Sequence, residues 1–343
     1  MKKIFLLLIG VAITAVLSAQ VADSLSSHSK SVFRVMCYNV ENLFDLDDDS
    51  LTRDEEYLPG QLRGWSYTRY RRKQVNIARA IVSCGWEPPA LVGLCEVESQ
   101  QALKDLTCYS PMKSLNYRFV HYESPDARGI DVALLYQPLF FRPLFHKPVA
   151  ICFPHAPLTR TRDILYVMGK IPTGDTLHCF VCHFPSRLGG ELNSEINRTF
   201  VASVLRREVD SLQRISTATN ILIMGDFNDY PDNNSLCKVT GAVEVDKEGD
   251  LVNLMFPLHR AGKGSHKYEG KWGMLDQLIV SRPLLNPASG LYTYPDKAGI
   301  MENSFLLEED TKYFGFKPFR TYNGMKYHGG YSDHLPVFID FYY

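Results

Sequence analysis

ILIMGDFNDYPDNN, residues 221–234, joins four bulky apolar residues to a polar turn. Ile221 to Met224 has the length and bulk of a buried strand, and Gly225 then turns the chain. Beyond the turn come Asp226, Asn228, Asp229 and Asp232. Open α/β sheets present ligand-binding groups just past the carboxyl ends of their strands. Asp226 and Asn228 are therefore candidate site residues, and an extended segment would point both the same way. An Asx-turn that merely ends a strand is the structural alternative.

Outward from that stretch, other strand-like runs end in the same kind of residue. Val32–Tyr38 ends at Asn39, and Ala90–Cys95 ends at Glu96. Thr176–Cys182 ends at His183, followed by Arg187 and two glycines. Asp276 opens a strand, and Ser332, Asp333 and His334 lead into Leu335–Phe341. Further strands are predicted at Tyr117–His121, Ile130–Tyr136, Val149–Phe153 and Ile164–Gly169, with helices at Tyr67–Ser83, Gln100–Leu106 and Asn193–Leu212. The first helix reads with Val75, Ala78 and Val82 inward and Lys73 on a solvated basic face. The second long helix reads with Ile196, Phe200 and Val204 inward. Asp45 to Gly64 reads as a solvated acidic loop, lacking the glycine and closing glutamate of a calcium-binding EF-hand. No element is assigned to 294–327.

Lys2 and Lys3 precede an apolar run from Ile4 to Leu17, then Ser18 and Ala19, which reads as an export signal over residues 1–20. The run is too short to span a bilayer, and nothing later in the mature chain resembles a transmembrane segment. The expected destination is periplasmic or extracellular. Without internal repeat or low-complexity linker, residues 21–343 read as one domain. Formal charge is −1, and −3 without the two leader lysines, which gives no support to wholesale nucleic-acid wrapping while leaving a locally basic cleft open. The eight cysteines are spread through strand-like runs, so they read as structural; Cys179, Cys182 and His183 have no matching pair for zinc.

Asn39, Glu96, His183, Asp226, Asn228, Asp276, Asp333 and His334 form a set rich in hard oxygen donors with no thiolate cluster. Such donors select Mg2+, with Mn2+ or Ca2+ as substitutes, and the chemistry implied is metal-assisted attack of water on phosphorus. A serine-hydrolase reading lacks the Gly-x-Ser-x-Gly elbow.

Seven blocks occur in a familiar order: CYNVENLFD, LVGLCEVES, RGIDVALLY, HFPSRLGG, IMGDFNDYP, LDQLIVS and YSDHLPV. In these the chain resembles the endonuclease/exonuclease/phosphatase superfamily of deoxyribonuclease I and exonuclease III type. The resemblance implies an α/β fold, a four-layer α/β/β/α sandwich of two mixed sheets, with a metal-dependent phosphoesterase site along one edge. It implies metal-side roles for Asn39, Glu96 and Asp333, a water-positioning or deprotonating role for Asp226, and a phosphate contact for its neighbour Asn228. It further implies that His334, held by Asp276, stabilises the pentacovalent phosphorus, and that His183 is the extra histidine of the deoxyribonuclease I branch. Arg187 is added as a phosphate contact from its place in the loop. Cys95 stands where the family often has glutamine, beside the site. The expected substrate is a phosphodiester, DNA or RNA first. Phosphorylated small molecules, lipid head groups and a non-catalytic binding protein remain as alternatives. No partner protein is inferable.

Overall fold

The structure is a computed structural model that describes residues 32–187 and 190–343. The expected export signal at 1–20 lies outside the described residues. Thirteen strands form two mixed sheets. In chain order they are β1 (Val32–Leu43), β2 (Leu91–Val97), β3 (Arg118–His121), β4 (Asp131–Tyr136), β5 (Arg142–Val149), β6 (Ile164–Lys170) and β7 (Thr176–His183). They continue as β8 (Asn220–Asp226), β9 (Ala242–Val243), β10 (Leu251–Asn253), β11 (Asp276–Ser281), β12 (Tyr292–Ile300) and β13 (Val337–Tyr342). The first sheet runs β12-β13-β1-β2-β4-β3, the second β5-β6-β7-β8-β11-β10-β9. The long helices are α1 (Tyr67–Val82), α2 (Gln100–Tyr109) and α3 (Glu191–Ile215).

Side-chain alternation builds the layers. Leu222 and Met224 of β8 face the other sheet, meeting Cys37, Leu134 and Ile339 in the central core. Ile221 and Ile223 face α3, where Val201, Leu205 and Val209 cover them. On the far side, Met36, Tyr38 and Leu94 pack under Ile77 and Ile81 of α1 and Leu103 of α2. The sequence run is continuously apolar because both faces of β8 are buried. The result is the four-layer α/β/β/α sandwich.

Several local expectations are corrected. The edge strand is Arg142–Val149, not Val149–Phe153; it carries Pro143 and Pro148, which only an edge tolerates, and it is largely exposed, so no apolar run marks it. Helix α1 turns Tyr70, Lys73, Gln74, Ile77, Ala78 and Ile81 inward and leaves Val75 and Val82 at its exposed margins. Lys73 is thus buried rather than solvated. In α3, Ile196 is exposed while Arg198 is fully buried on Asp229. The acidic loop is pinned: Asp54 and Tyr57 are buried, and Trp65 beyond it donates to the Asp45 carbonyl at 3.0 Å. The unassigned stretch contains β12 and a small hairpin, Leu307–Glu309 with Phe316–Pro318.

Gly225 has φ +153°, and a Cβ there would overlap the Cys182 carbonyl of the neighbouring strand. Gly225→Ala is expected to destabilise the fold by roughly 3 kcal/mol, since backbone on the parallel neighbour cannot yield. Denaturant titration checks this; a loss below about 0.5 kcal/mol contradicts it.

Candidate functional site

Register places the site. In the second sheet His183 of β7 lies opposite Asp226 of β8, and Asp276 of β11 lies opposite Asp226 on its other side. Three strand ends from distant sequence therefore form one row. In the first sheet Asn39 lies opposite Cys95, and the pairing then shifts, leaving Glu96 with φ 67°. A non-glycine residue in that region is costly and needs surrounding contacts to hold it. Glu96 has them: its Oε2 accepts from the Asn42 N–H at 3.0 Å and its Oε1 from Asn39 Nδ2 at 3.3 Å.

The two rows meet side chain to side chain. Asn39 Nδ2 also donates to Asp226 Oδ2 at 3.0 Å, across the gap between the sheets. His183 Nε2 stands 3.7 Å from Asp226 Oδ2 and 3.9 Å from Glu96 Oε1, and His334 Nε2 stands 3.7 Å from Asp226 Oδ2. Asp276 Oδ2 is 2.7 Å from His334 Nδ1, which turns the other ring nitrogen toward Asp226. The loop before β13 is fixed by Ser332, whose hydroxyl donates to the Asn39 carbonyl at 2.7 Å and accepts from the His334 N–H at 3.0 Å.

Asn228 departs from the extended geometry expected for it. Its φ is +49°, its N–H donates to Asp226 Oδ1 at 2.8 Å, and its Nδ2 donates to the Phe184 carbonyl at 3.0 Å. The Asx-turn and the site residue are the same feature. Arg187 departs further. Its guanidinium donates to the Asn228 carbonyl at 2.7 Å, to Asn233 Oδ1 at 2.8 Å and to Asp229 Oδ1 at 3.2 Å, and pairs with Glu191 at 3.1 Å. With its donors so engaged, it braces the Asn228 turn instead of standing free to take a phosphate.

Electrostatics separate the two histidines. Burial, with Arg162, Arg128 and His334 nearby, pushes His183 well below the ordinary range, so it is neutral. Burial acts the same way on His334, but the carboxylates of Asp276 and Asp226 outweigh it and raise it well above the ordinary range. Burial pushes Asp226 up to about 7, against the pull of His334. Asp333, partly buried, is held below the usual carboxylate range by His334 and Arg320, whose Nη2 donates to it at 2.9 Å.

Glu41, Arg320, Lys73 and His266 are not singled out as site residues from the sequence. Glu41 accepts from the Thr321 and Tyr322 N–H groups at 2.6 and 3.2 Å and lies 3.5 Å from Arg320 Nε. Lys73 donates to Thr321 Oγ1 and, at 2.8 Å, to the Tyr331 carbonyl, and burial lowers it to about 8. His266 stacks near His334 with ring centroids 4.8 Å apart. Only the polar character of CYNVENLFD, which contains Glu41, hinted at this outer set. Cys95 is beside the site as expected, its thiol directed to the Cys182 carbonyl at 3.3 Å.

Glu96 offers a carboxylate beside Asn39, whose Nδ2 donates to it and whose Oδ1 accepts from the Glu41 N–H at 3.0 Å, and the depressed Asp333 adds a carboxylate that is ionised at neutral pH. That donor chemistry fits a magnesium-class cation.

Solved structures with this architecture include an endonuclease/exonuclease/phosphatase family protein from Bacteroides thetaiotaomicron, 14% identical, TM-score 0.57, covering 92% of this chain and 98% of that one. A mannosyl-6-phosphatase of B. thetaiotaomicron VPI-5482 is 14% identical with TM-score 0.57, covering 91% and 100%. D. rerio TDP2 complexed with single-strand DNA product is 14% identical with TM-score 0.55, covering 91% and 99%. No curated protein sequence matches the chain. The family model described as "Endonuclease/Exonuclease/phosphatase family" matches residues 34–342. With that match spanning almost all the described residues, the chain belongs to the endonuclease/exonuclease/phosphatase family, whose members are hydrolases acting on phosphate esters.

Proposed function

We propose that the protein is an exported, Mg2+-dependent phosphodiesterase that hydrolyses nucleic acid. The observation that carries the reading is the convergence of Asp226 with His183, His334 and Asn39, each within 3.7 Å of Asp226 Oδ2. Glu96, Asn39 and Asp333 would hold the cation, which when bound supplies Lewis-acid stabilisation of a phosphoryl oxygen.

The chain's own residues do the rest. Asp226, poised near neutrality by burial, accepts the proton of the attacking water. His334 stays cationic and faces the charge that develops on phosphorus, and Asp276, accepting from its Nδ1–H, favours that charged form and fixes the ring's orientation. Neutral His183 offers one ring nitrogen to the substrate on the Asp226 side. Asn228, braced by Arg187, shapes the turn that holds Asp226 Oδ1.

Nucleic acid is favoured by what borders His334. It forms a bridge with His266, which opens the hairpin His266–Tyr268 with Lys271–Gly273. Tyr268 on that hairpin, and Phe314 and Phe316 beside it, are exposed aromatics. Lys267 ties the two hairpins by donating to the Phe314 and Phe316 carbonyls at 3.0 and 3.1 Å. Exposed rings next to a phosphate-cleaving centre suit stacking of single-stranded bases. The leader-like residues 1–20 support export, and no helix among the described residues is long and apolar enough to cross a membrane.

Three outcomes are expected. Residues 21–343 nick supercoiled plasmid with Mg2+, lose activity in EDTA and recover on Mg2+ addition. Asp226→Asn lowers turnover by about 10²-fold or more in a folded protein; unchanged turnover removes Asp226 from the mechanism. Phosphate release from sugar phosphates without nicking would move the assignment to a monoesterase. For pH, activity requires ionised Asp226 and protonated His334, so kcat/KM rises through an apparent value near 7 and falls at alkaline pH. Asp276→Asn removes a charge that raises His334, so the alkaline limb moves to lower pH; a profile that keeps its alkaline limb contradicts the pairing.

A further inference from the structure

A second cluster of ligating side chains lies at the edge of the first sheet. His121 is the last residue of β3 and pairs with Ala133 of β4. Asp131, two residues before Ala133, shares its face, so His121 and Asp131 are diagonal neighbours. Their atoms His121 Nε2 and Asp131 Oδ2 are 3.2 Å apart, and Glu123 Oε1 lies 3.8 Å from His121 Nδ1. One donor atom from each of the three residues falls within 4.8 Å of the others.

A histidine–carboxylate hydrogen bond is the ordinary reading of 3.2 Å, but the geometry does not make one. Both ring nitrogens of His121 and the Oδ2 of Asp131 are buried without a hydrogen-bond partner, in side chains that are 0% and 1% exposed. Buried polar groups are nearly always satisfied, and orphaning three in one spot is costly. Two donors on a tetrahedral ion at ~2.1 Å sit about 3.4 Å apart, close to the 3.2 Å between Nε2 and Oδ2. Asp131 is also pre-aimed: its other oxygen accepts from the Ser124 N–H at 2.9 Å and from the Ser124 hydroxyl, leaving Oδ2 for the cluster. Such a partner behind a ligand is what metal sites use to orient a carboxylate.

We infer that His121, Glu123 and Asp131 form a second divalent-cation site, separate from the catalytic row and suited to a zinc-class ion. An imidazole with two carboxylates is the donor set of such ions, whereas magnesium takes oxygens alone. The ion would clamp the segment from 122 to 131. That segment carries Asp126, which accepts from Arg162 Nη1 at 3.1 Å, while Arg162 Nη2 donates to the Phe184 carbonyl at 2.7 Å, next to His183. It also receives the acidic loop, through the Arg53 N–H on the Ala127 carbonyl at 2.8 Å. The site therefore ties the loop edge to the wall of the catalytic cleft without touching the reacting atoms.

The test is zinc binding by equilibrium dialysis, read as metal per chain and independent of phosphoesterase activity. The parent is the Glu96→Gln, Asp333→Asn double variant of residues 21–343, stripped with chelator, so that the catalytic donors are disabled. The parent is expected to hold one Zn2+ per chain. Adding Glu123→Gln, at an exposed position with little folding risk, should weaken binding by ~10-fold or more, and adding His121→Asn should abolish it. Circular dichroism confirms that each variant is folded, and Zn2+ should raise the Tm of the parent but not of a folded His121→Asn variant. Zinc binding unchanged by Glu123→Gln, or no zinc held by the parent, overturns the inference.

Discussion

The side-chain hydrogen bond from Asn39 Nδ2 to Asp226 Oδ2 at 3.0 Å joins two sheets whose facing surfaces are largely apolar. Everything at the site depends on the sheets being held in that register. The anchoring is hydrophobic: Ile221 to Met224 are fully buried on both faces of β8, and each such side chain stabilises by about 1.5–3 kcal/mol. Burying a carboxylate costs several kcal/mol, so a polar row at Asp226 survives only where a strand like this one leads into it. The backbone carries part of the cost as well, in the left-handed residues Glu96 and Asn228.

Within that frame the same residue type is driven to opposite states. His183 and His334 are both buried and both face Asp226 Oδ2 at 3.7 Å. His183 has arginines on its far side and is neutral; His334 has Asp276 behind it and is cationic. A carboxylate between one neutral and one charged imidazole is the arrangement that separates proton acceptance from charge stabilisation in one small volume. The outer set extends it, with Glu41 and Arg320 bearing on Asp333, and Lys73 holding Thr321 and Tyr331 in place.

Much of this was legible in the sequence because strand ends announce themselves. A buried strand is an unbroken apolar run, so the polar residue at its end stands out, as Asp226 and His183 do; Asn39 and Glu96 interrupt such runs in the same way, although β1 continues to Leu43 and β2 to Val97 past a shift in their pairing. The pairing of His334 with Asp276 came from the resemblance, and the geometry supplies its physical cause. Illegible parts share a reason: they depend on tertiary neighbours. Lys73 sits among arginines that are exposed or half-buried, and only the Thr321 hydroxyl and the Tyr331 carbonyl, 248 and 258 residues away, explain its burial. The edge strand Arg142–Val149 has two prolines and few buried side chains, so neither period nor propensity marks it. Arg187 looked free for phosphate because its acceptors, the Asn228 carbonyl and Asp229, lie some forty residues downstream.

The central claim is that burial and neighbouring charge set His334 cationic and His183 neutral before any substrate arrives. Nitrogen-15 chemical shifts of the histidine side chains, in metal-free protein at pH 7.5 and assigned with His183→Gln and His334→Gln variants, read both states directly. The account predicts an imidazolium at His334 and a neutral single tautomer at His183. A neutral His334, or a charged His183, would contradict it.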